Sequence, residues 1–234
     1  MPPEPAFLLH RRPYRETSAL VDLLTLHHGR IRAVARGVQR PGARSRQRLQ
    51  PFAPLFVTWR GERELKRLML METRGQVALL AGEGLLCGFY ANELATRLLP
   101  PEMPAADVFA FYTALLEALP RPPERMLALR RYEWSLLEAL GATPRFATPD
   151  GAALDGQTRY AFDAPSGAFV PADGGIDGRA LGLLARGSWH RPGLAGALKA
   201  LMRQALAPHL GHTELRSRRL LQDLIHRRRA RGNG

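Results

Sequence analysis

The chain has 234 residues, of which 45% are hydrophobic and 24% charged, a composition that excludes wholesale disorder. It contains no apolar run of about 18 residues, which excludes a membrane-spanning helix, and its single cysteine excludes an internal disulfide and a multi-thiolate zinc site. The 34 basic residues outnumber the 21 acidic ones, and the net charge of +13 favours a polyanionic partner, nucleic acid first. The first residues lack the order of a secretory signal, so we expect a soluble cytoplasmic protein.

Five short strands are predicted in the first third of the chain, where apolar runs alternate with turn residues. In order they span residues 6–12, 18–25, 30–36, 55–60 and 66–74. Pro13, His28-Gly29 and Gly61 mark the turns between them. Five short strands fit a small closed barrel, and the commonest five-stranded barrel that binds nucleic acid is the OB-fold.

The third predicted strand alternates between basic and apolar residues. Successive side chains of a strand point to opposite faces, so Arg30, Arg32 and Arg36 are expected to share one face. Val34 lies on the same face as these arginines, and the alternate residues Ile31, Ala33 and Ala35 are expected to face the core. This arginine face is predicted to contact a phosphate backbone.

Residues 37–50 connect the third and fourth strands and contain two glycines, one proline and no acid. They also contain four arginines: Arg40, Arg44, Arg46 and Arg48. We interpret this segment as a mobile basic loop that lies along a phosphate backbone, the alternative being a solvated surface loop. Most aromatic residues of the module are expected in the core, with one or two stacking on bases: Phe7, Tyr14, Phe52, Phe56 and Trp59.

The remainder of the chain is predicted to be mostly helical. Helices are expected over residues 84–99, 108–119, 125–140, 177–186, 194–210 and 214–229, the last of them basic. Asp107 and Asp177 are plausible N-terminal caps, and Gly141 is a plausible C-terminal cap. Residues 142–175 are rich in turn formers and allow a small hairpin of residues 160–163 and 168–171.

Two adjacent arginines, Arg130 and Arg131, lie in the middle of a predicted helix beside an apolar set. Arginines beside an apolar groove are suited to an acidic peptide that ends in an aromatic residue. Equally, they pair with Glu133 or Glu138 on a solvated face. The sequence leaves both interpretations open.

Motifs for catalysis are absent from the sequence. No Walker loop, His-Glu-x-x-His or Gly-x-Ser-x-Gly occurs, and Cys87 lies in an apolar segment that suits a buried thiol better than a nucleophile. A binding protein without a chemical step is therefore favoured. Two alternatives are a general RNA-binding OB-fold protein and an enzyme that uses the glycine-rich region after Gly141.

Several segments together resemble the RecO family of bacterial DNA repair and recombination mediators. The resemblance is carried, in collinear order, by residues 7–18 (FLLHRRPYRETS), 28–37 (HGRIRAVARG), 49–52 (LQPF), 86–94 (LCGFYANEL), 129–133 (LRRYE) and 215–221 (LRSRRLL). It implies an N-terminal OB-fold, a C-terminal helical domain and no enzymatic activity. It also implies binding of single- and double-stranded DNA, annealing of complementary strands, and loading of RecA with the partners RecR and single-stranded DNA-binding protein in the RecFOR pathway, at the nucleoid.

The resemblance also assigns roles to residues. Arg130 and Arg131 match the groove that receives the acidic C-terminal tail of single-stranded DNA-binding protein. Some family members hold zinc with four cysteines after the third helix, but residues 142–175 contain none, so we expect no zinc and no other cofactor. The candidate DNA-binding set is Arg11, Arg12, Arg15, Arg30, Arg32, Arg36, Arg40, Arg44, Arg46, Arg48, Arg216, Arg218 and Arg219.

The expected fold class is therefore α+β. Residues 1–80 are predicted to form a five-stranded OB-fold barrel that binds DNA. Residues 81–234 are predicted to form a mostly α-helical domain, with an irregular insert and β-hairpin at 142–175.

Overall fold

The computed structural model describes residues 2–40, 49–73, 75, 77–211 and 213–220. The chain forms two compact units, one of Met1–Pro122 with Glu214–Gly234, and one of Pro123–Thr213. These units do not follow the change from strands to helices. The predicted domain boundary after residue 80 therefore stays a prediction.

The N-terminal strands close into a five-stranded barrel. They are β1 (Glu4–Tyr14), β2 (Ser18–Thr25), β3 (Gly29–Ala35), β4 (Pro54–Arg60) and β5 (Leu65–Thr73). Their order around the barrel is β1-β2-β3-β5-β4, with β3 and β5 parallel and the other neighbours antiparallel. The predicted OB-fold barrel is thus confirmed. Four strands lie within one residue of their predicted limits, and β1 is two residues longer than predicted at each end.

Alternation along β3 places Ile31, Ala33 and Ala35 in the barrel core, as predicted. β2 is buried on both faces along almost its whole length. One face of β2 fills the barrel, and the helix Ala106–Ala118, in the same compact unit, contacts this strand.

β1 continues past Pro13, where the sequence predicts its end. β1 pairs with β4 only from Glu4 to Phe7, whereas its pairing with β2 extends to Tyr14 opposite Ser18. The missing N–H of Pro13 therefore removes no hydrogen bond to β4, and a proline is tolerated on this free side of the strand. The longer strand carries its exposed arginines out to one end of the barrel.

Two helices of the first compact unit pack beside the barrel: α1 (Gly82–Leu98) and α2 (Ala106–Ala118). Asn92 of α1 donates hydrogen bonds to the carbonyl oxygens of Leu8 and Leu9 at 3.3 and 3.1 Å. The Tyr112 hydroxyl of α2 donates to Asn92 Oδ1 at 2.5 Å. One buried amide thus joins both helices to β1. The cap of α2 is Ala105, and Asp107 lies in the first turn, so its predicted capping role is wrong.

The second compact unit combines helices with a small sheet. Its elements are α3 (Pro122–Ala139, starting at the unit boundary), β6 (Arg159–Asp163), β7 (Ala168–Pro171), β8 (Ile176–Asp177), α4 (Gly178–Ala185) and α5 (Ala195–Leu210). The predicted hairpin is confirmed as β6–β7, and β8 adds a third strand beside β6 that the sequence does not predict. The Asp177 carboxylate accepts from the backbone N–H groups of Arg179 and Ala180, which confirms its predicted cap.

Aromatic packing holds the insert in this unit. The Phe169 ring lies 5.6 Å from Phe146 and 5.8 Å from Phe162, and Trp134 lies 6.2 Å from Phe146 and 5.2 Å from Trp189. The four-cysteine donor set of the resembled family does not fit residues 142–175, which contain no cysteine. Within the described residues, no three His, Cys, Asp or Glu side chains are grouped to hold a metal ion.

Of the predicted helix 214–229, the structure describes residues 214–220, and residues 216–220 are helical; residues 221–229 lie outside the described residues. The N–H groups of Arg218 and Arg219 bond to the Leu215 carbonyl, so Leu215 occupies the cap position with an apolar side chain. Glu93 of α1 supplies the missing cap, because its carboxylate accepts from the N–H groups of Arg216 and Ser217 at 3.0 and 2.9 Å. Among the helices described, none has the length and apolarity needed to cross a membrane.

Candidate nucleic-acid interface

Strand register brings three exposed arginines to one end of the barrel. Tyr14 opposite Ser18 closes the β1–β2 hairpin and places Arg15 in its turn. The next pair, Ala19 opposite Ala35, puts Arg36 beside this hairpin. Parallel pairing of β3 with β5 sets Val34 beside Arg67. Arg15, Arg36 and Arg67 therefore approach one another from three elements, although they are far apart in sequence.

These residues line a surface pocket of about 210 Å³. Its lining consists of Tyr14, Arg15, Ser18, Val34, Arg36, Leu65, Lys66 and Arg67. Arg15, Arg36 and Arg67 are exposed, and within the described residues their guanidinium groups form no hydrogen bond or ion pair. Three free cations in one concavity make a strong site for a phosphate oxyanion.

Arg67 is absent from the predicted set, and the sequence obscures it for a clear reason. Glu62 and Glu64 interrupt the basic residues that precede it, so no basic stripe stands out. Only the parallel pairing with β3, between strands separated by more than 30 residues, places Arg67 in the pocket. The alternation of β5 gives a partial signal, since Arg67 follows the inward-facing Lys66.

Lys66 contributes to the positive potential of the pocket but is not a free ligand. Its side chain is 5% exposed, and its ammonium lies 2.8 Å from Glu102 Oε2. The ammonium also donates to the Glu62 carbonyl at 3.3 Å. A buried charge of this kind needs both partners, so Lys66 holds the start of β5 in place.

A second pocket lies at the root of the basic segment. It is lined by Arg11, Arg12, Pro13, Ala19, Val38, Gln39 and Leu49. Arg11 donates to the Leu49 carbonyl at 3.0 Å, and Gln39 Nε2 donates to the Ser18 carbonyl at 2.7 Å. Both ends of the basic segment are thus joined to the β1–β2 hairpin. The Arg12 side chain is exposed beside them.

Arg30 does not lie on an open face, contrary to the prediction of an exposed arginine stripe. It is 8% exposed, its Nη1 lies 3.1 Å from Asp22 Oδ1, and its Nε donates to the Leu99 carbonyl at 2.8 Å. The segment after α1 covers this face, because the Glu102 N–H bonds to the Arg30 carbonyl. Gly29 permits the approach, since a Cβ there would overlap the Met103 carbonyl.

Arg32 is intermediate between these two situations. Its side chain is 36% exposed and contacts Asp22 at 3.3 Å and Glu64 at 3.4 Å. Two carboxylates therefore compete with any phosphate for this guanidinium. The predicted face of Arg30, Arg32 and Arg36 is not continuous, and only Arg36 lies both exposed and unpaired among the described residues.

The predicted basic loop is described only at its ends. Arg40 is exposed, whereas Arg44, Arg46 and Arg48 lie outside the described residues. Val38 and Leu49, which flank this stretch, are both buried in the barrel core.

Most aromatic residues of the barrel are structural, as expected. Phe7, Phe52 and Trp59 are buried, and Phe56 is half-buried. Tyr14 is half-exposed at the pocket, and the Arg15 guanidinium carbon lies 5.2 Å from its ring centre. A tyrosine ring and a guanidinium group can each stack on an unpaired base, and this pair lies beside the exposed arginines of the pocket.

The C-terminal arginines belong to the same compact unit as the barrel. Arg216, Arg218 and Arg219 are exposed in the helical residues 216–220. Burial disfavours the charged form of Glu93, but hydrogen bonds from Ser217 and Arg216 and the ion pair with Arg97 outweigh it. They hold the pKa of Glu93 below its usual value, so its carboxylate stays charged at neutral pH and holds this helix.

In the second compact unit, the two adjacent arginines of α3 differ. Arg130 is almost fully buried and forms an ion pair with Glu133 at 2.7 Å, one of the pairings that the sequence left open. Its Nε has no hydrogen-bond partner within the described residues. Arg131 is exposed. Glu138 accepts from Trp134 Nε1 at 2.8 Å.

Comparison with known proteins covers nearly the whole chain. A family model described as Recombination protein O N terminal matches residues 1–76, and one described as Recombination protein O C terminal matches residues 80–219. The chain is 44% identical over 226 residues to the DNA repair protein RecO of Pseudomonas aeruginosa, which covers 93% of each chain.

Two further relatives carry the same name. The DNA repair protein RecO of Pseudomonas putida is 43% identical over 226 residues, or 94% of this chain and 97% of the relative. That of Nitrosococcus oceani is 38% identical over 228 residues, or 94% and 93%. With both halves matched in order, and with an OB-fold barrel at its N-terminus, the chain belongs to the RecO family.

Proposed function

We propose that this protein is a DNA repair and recombination mediator that binds single- and double-stranded DNA and anneals complementary strands. With RecR, it helps to load RecA onto DNA coated by single-stranded DNA-binding protein. One observation carries the DNA-binding part: exposed arginines from the β1–β2 turn, from the turn after β3 and from β5 converge at one end of an OB-fold barrel. The names of its relatives support the role in DNA repair.

Annealing requires no bond to be made or broken, so no catalytic residue is needed. The barrier is the mutual repulsion of two phosphate backbones, which guanidinium groups lower by replacing condensed counterions. The first strand binds the exposed arginines at the barrel end, which are Arg11, Arg12, Arg15, Arg36, Arg40 and Arg67. It also binds Arg44, Arg46 and Arg48 of the basic segment, which lie outside the described residues. The second strand binds Arg216, Arg218 and Arg219 of the C-terminal helix. Arg32 adds to the field, and Arg30 acts as a structural residue.

Recruitment to coated DNA uses a different part of the molecule in this proposal. Arg131 is exposed on α3, and the buried Arg130 lies beside it with a free Nε among the described atoms. Both guanidinium groups suit the acidic C-terminal tail of single-stranded DNA-binding protein. The expected place of action is the nucleoid in the cytoplasm, where DNA, RecR and RecA are found.

The decisive experiment is strand annealing on coated DNA. Two complementary labelled oligonucleotides are each covered with single-stranded DNA-binding protein and mixed with this protein. We expect pairing to accelerate, because the protein engages the coat and neutralises both backbones. No acceleration, with bare strands still bound, would reduce the protein to a passive OB-fold binder. Preferential binding of RNA without any response to the coat protein would favour the RNA-binding alternative.

Salt dependence tests the electrostatic basis of binding. With about six phosphate contacts on a single strand, the logarithm of affinity should fall with the logarithm of salt at a slope of about −4. Replacing Arg44, Arg46 and Arg48 together by alanine should weaken binding and bring the slope toward −2. A matched variant, Arg186→Ala, Arg191→Ala and Arg203→Ala, removes three exposed charges from the second unit and should keep the slope. A slope near zero for the unmodified protein contradicts the model.

A further inference from the structure

The pocket between the β1–β2 turn, Arg36 and β5 combines two kinds of ligand group. Arg36 and Arg67 offer planar donors that match a phosphate in bidentate fashion. Beside them, the Arg15 guanidinium carbon lies 5.2 Å from the centre of the Tyr14 ring. Tyrosine rings and guanidinium planes are both platforms for an unstacked nucleobase.

The composition of the pocket argues for a nucleotide over other anions. Among its described lining residues four are cationic and none is acidic, so the pocket selects a negative ligand. A free inorganic anion, or an acidic peptide without an aromatic residue, uses the cations but leaves the aromatic platform unused. A nucleotide uses both, because its phosphate and its base are held apart by the sugar.

The backbone at this position supports a fixed platform. Arg15 adopts a left-handed backbone conformation with a φ of 54°, which residues other than glycine rarely adopt. The Gln39 N–H donates to the Thr17 carbonyl at 3.0 Å and ties the same turn to the segment after β3. The turn that carries the stacking pair is therefore attached to the segment that carries Arg36.

We propose that this pocket holds one nucleotide of an unpaired DNA strand, with its phosphate on Arg36 and Arg67 and its base on the Tyr14–Arg15 pair. This inference rests on the DNA binding proposed above and makes the pocket the element that distinguishes single from double strands. A paired base is stacked on its neighbours within the duplex and cannot present its face to Tyr14. Duplex DNA therefore engages only the phosphate-binding arginines of this pocket.

Equilibrium binding of three DNA probes tests the proposal: a single strand, the blunt duplex of the same sequence, and a single strand with a run of abasic sites. Tyr14→Leu should lower affinity for the normal single strand about tenfold, through loss of stacking. It should leave affinity for the duplex and for the abasic strand unchanged. Arg67→Gln should make the single-strand salt slope shallower by about 0.7.

Two controls keep the result interpretable. Tyr14→Phe retains the aromatic ring and should bind the single strand as the unmodified protein does. Weaker binding by Tyr14→Leu alone would then come from the loss of stacking. Arg63→Gln removes one exposed charge from the same barrel outside the pocket and should keep the slope.

The possible failures are distinguishable. If the unmodified protein binds and anneals DNA while Tyr14→Leu and Arg67→Gln behave like Arg63→Gln, the pocket proposal is wrong and the proposed function stands. If Tyr14→Leu weakens single strand and duplex equally, strand selection by this pocket is wrong. Competition by polyglutamate with no effect of Tyr14→Leu would assign the pocket to an acidic peptide and overturn the proposal. If the unmodified protein binds none of the probes, the proposed function itself is wrong.

Discussion

Arg30 and Arg36 come from the same predicted arginine face, yet their surroundings are opposite. Arg30 is enclosed by Asp22 and by the Leu99 carbonyl, and its charge is used inside the protein. Arg36 is exposed at the end of the barrel and lines a pocket with Arg67. The difference does not come from the strand itself, whose alternation is regular. It comes from what covers each residue: residues 99–104 cover Arg30, whereas Arg36 lies in the turn after β3 and is exposed.

Lys66 and Arg67, which are neighbours in β5, show the same contrast between a buried and an exposed basic residue. Lys66 points inward and is paired with Glu102, which belongs to the segment that covers Arg30. Arg67, the next residue, points outward and stays free among the described residues. A basic residue thus becomes part of the interface where the covering segment ends. The interior cations should affect stability, and the barrel-end cations should affect DNA affinity.

The largest expected effect follows from removing the partner of Arg30. Asp22→Ala leaves a nearly buried guanidinium without its carboxylate, and losses of this kind cost about 3 kcal/mol of unfolding free energy. Urea denaturation measures this change through the midpoint. Arg36→Gln removes an exposed charge and should shift the unfolding free energy by less than about 0.5 kcal/mol.

Replacing both partners of the ion pair tests whether Asp22→Ala is destabilising because Arg30 loses its carboxylate or because the fold is disrupted more generally. Asp22→Leu combined with Arg30→Met removes both charges and keeps apolar volume, so it should recover most of the stability lost in Asp22→Ala. Equal stability of Asp22→Ala and the unmodified protein would mean that Arg30 is not held as an interior ion pair.

The barrel and most helices are predictable because local patterns specify them. Regular alternation in β3 and the turn at Gly29 require no knowledge of distant segments, and Asp177 caps the helix that follows it directly. The end of β1 was predicted too early at Pro13 because tolerance of a proline depends on which strand lies beside it. Local chemistry therefore predicts elements more securely than their limits.

The site residues are less predictable because exposure is a property of the whole fold. Arg30 has the same local pattern as Arg36, and only the contact of residues 99–104 with β3 distinguishes them. Arg67 becomes a candidate only through parallel pairing with β3. Glu93 caps the helix that contains Ser217, which lies 124 residues later in the sequence. No sequence motif indicates that these two residues are in contact.

A smaller effect on stability is expected at Glu93, where an acid again holds a basic segment in place. Glu93→Gln weakens the bonds to the Arg216 and Ser217 N–H groups and removes the ion pair with Arg97. The expected loss is about 1 kcal/mol, similar to loss of a helix cap. Amide exchange at Arg216 and Ser217 should accelerate before any change in the barrel strands. Glu117→Gln, on the exposed side of α2, should change neither measurement.

The dependence of this effect on pH has a definite sign. The pKa of Glu93 lies below its ordinary value of 4.5, so the folded state binds this proton less readily than the unfolded chain. The stabilisation is therefore fully present above pH 4.5 and is lost as pH falls through the lowered value. The difference in unfolding free energy between the unmodified protein and Glu93→Gln should shrink only in that acidic range. A difference that shrinks between pH 6 and 8 would contradict this assignment.

The smallest expected difference compares Arg36 with Arg32, which is exposed in part but contacts Asp22 and Glu64. Arg36→Gln should make the single-strand salt slope shallower by about 0.7, the contribution of one phosphate contact. Arg32→Gln should change it by less, because a guanidinium already neutralised by two carboxylates displaces fewer counterions from DNA. Both variants remove one charge, so the comparison isolates contact from net charge, and titrations at several salt concentrations measure it. Equal changes in slope would mean that the ion pairs of Arg32 open when DNA binds. The DNA-binding face would then extend along β3 from Arg36 to Arg32.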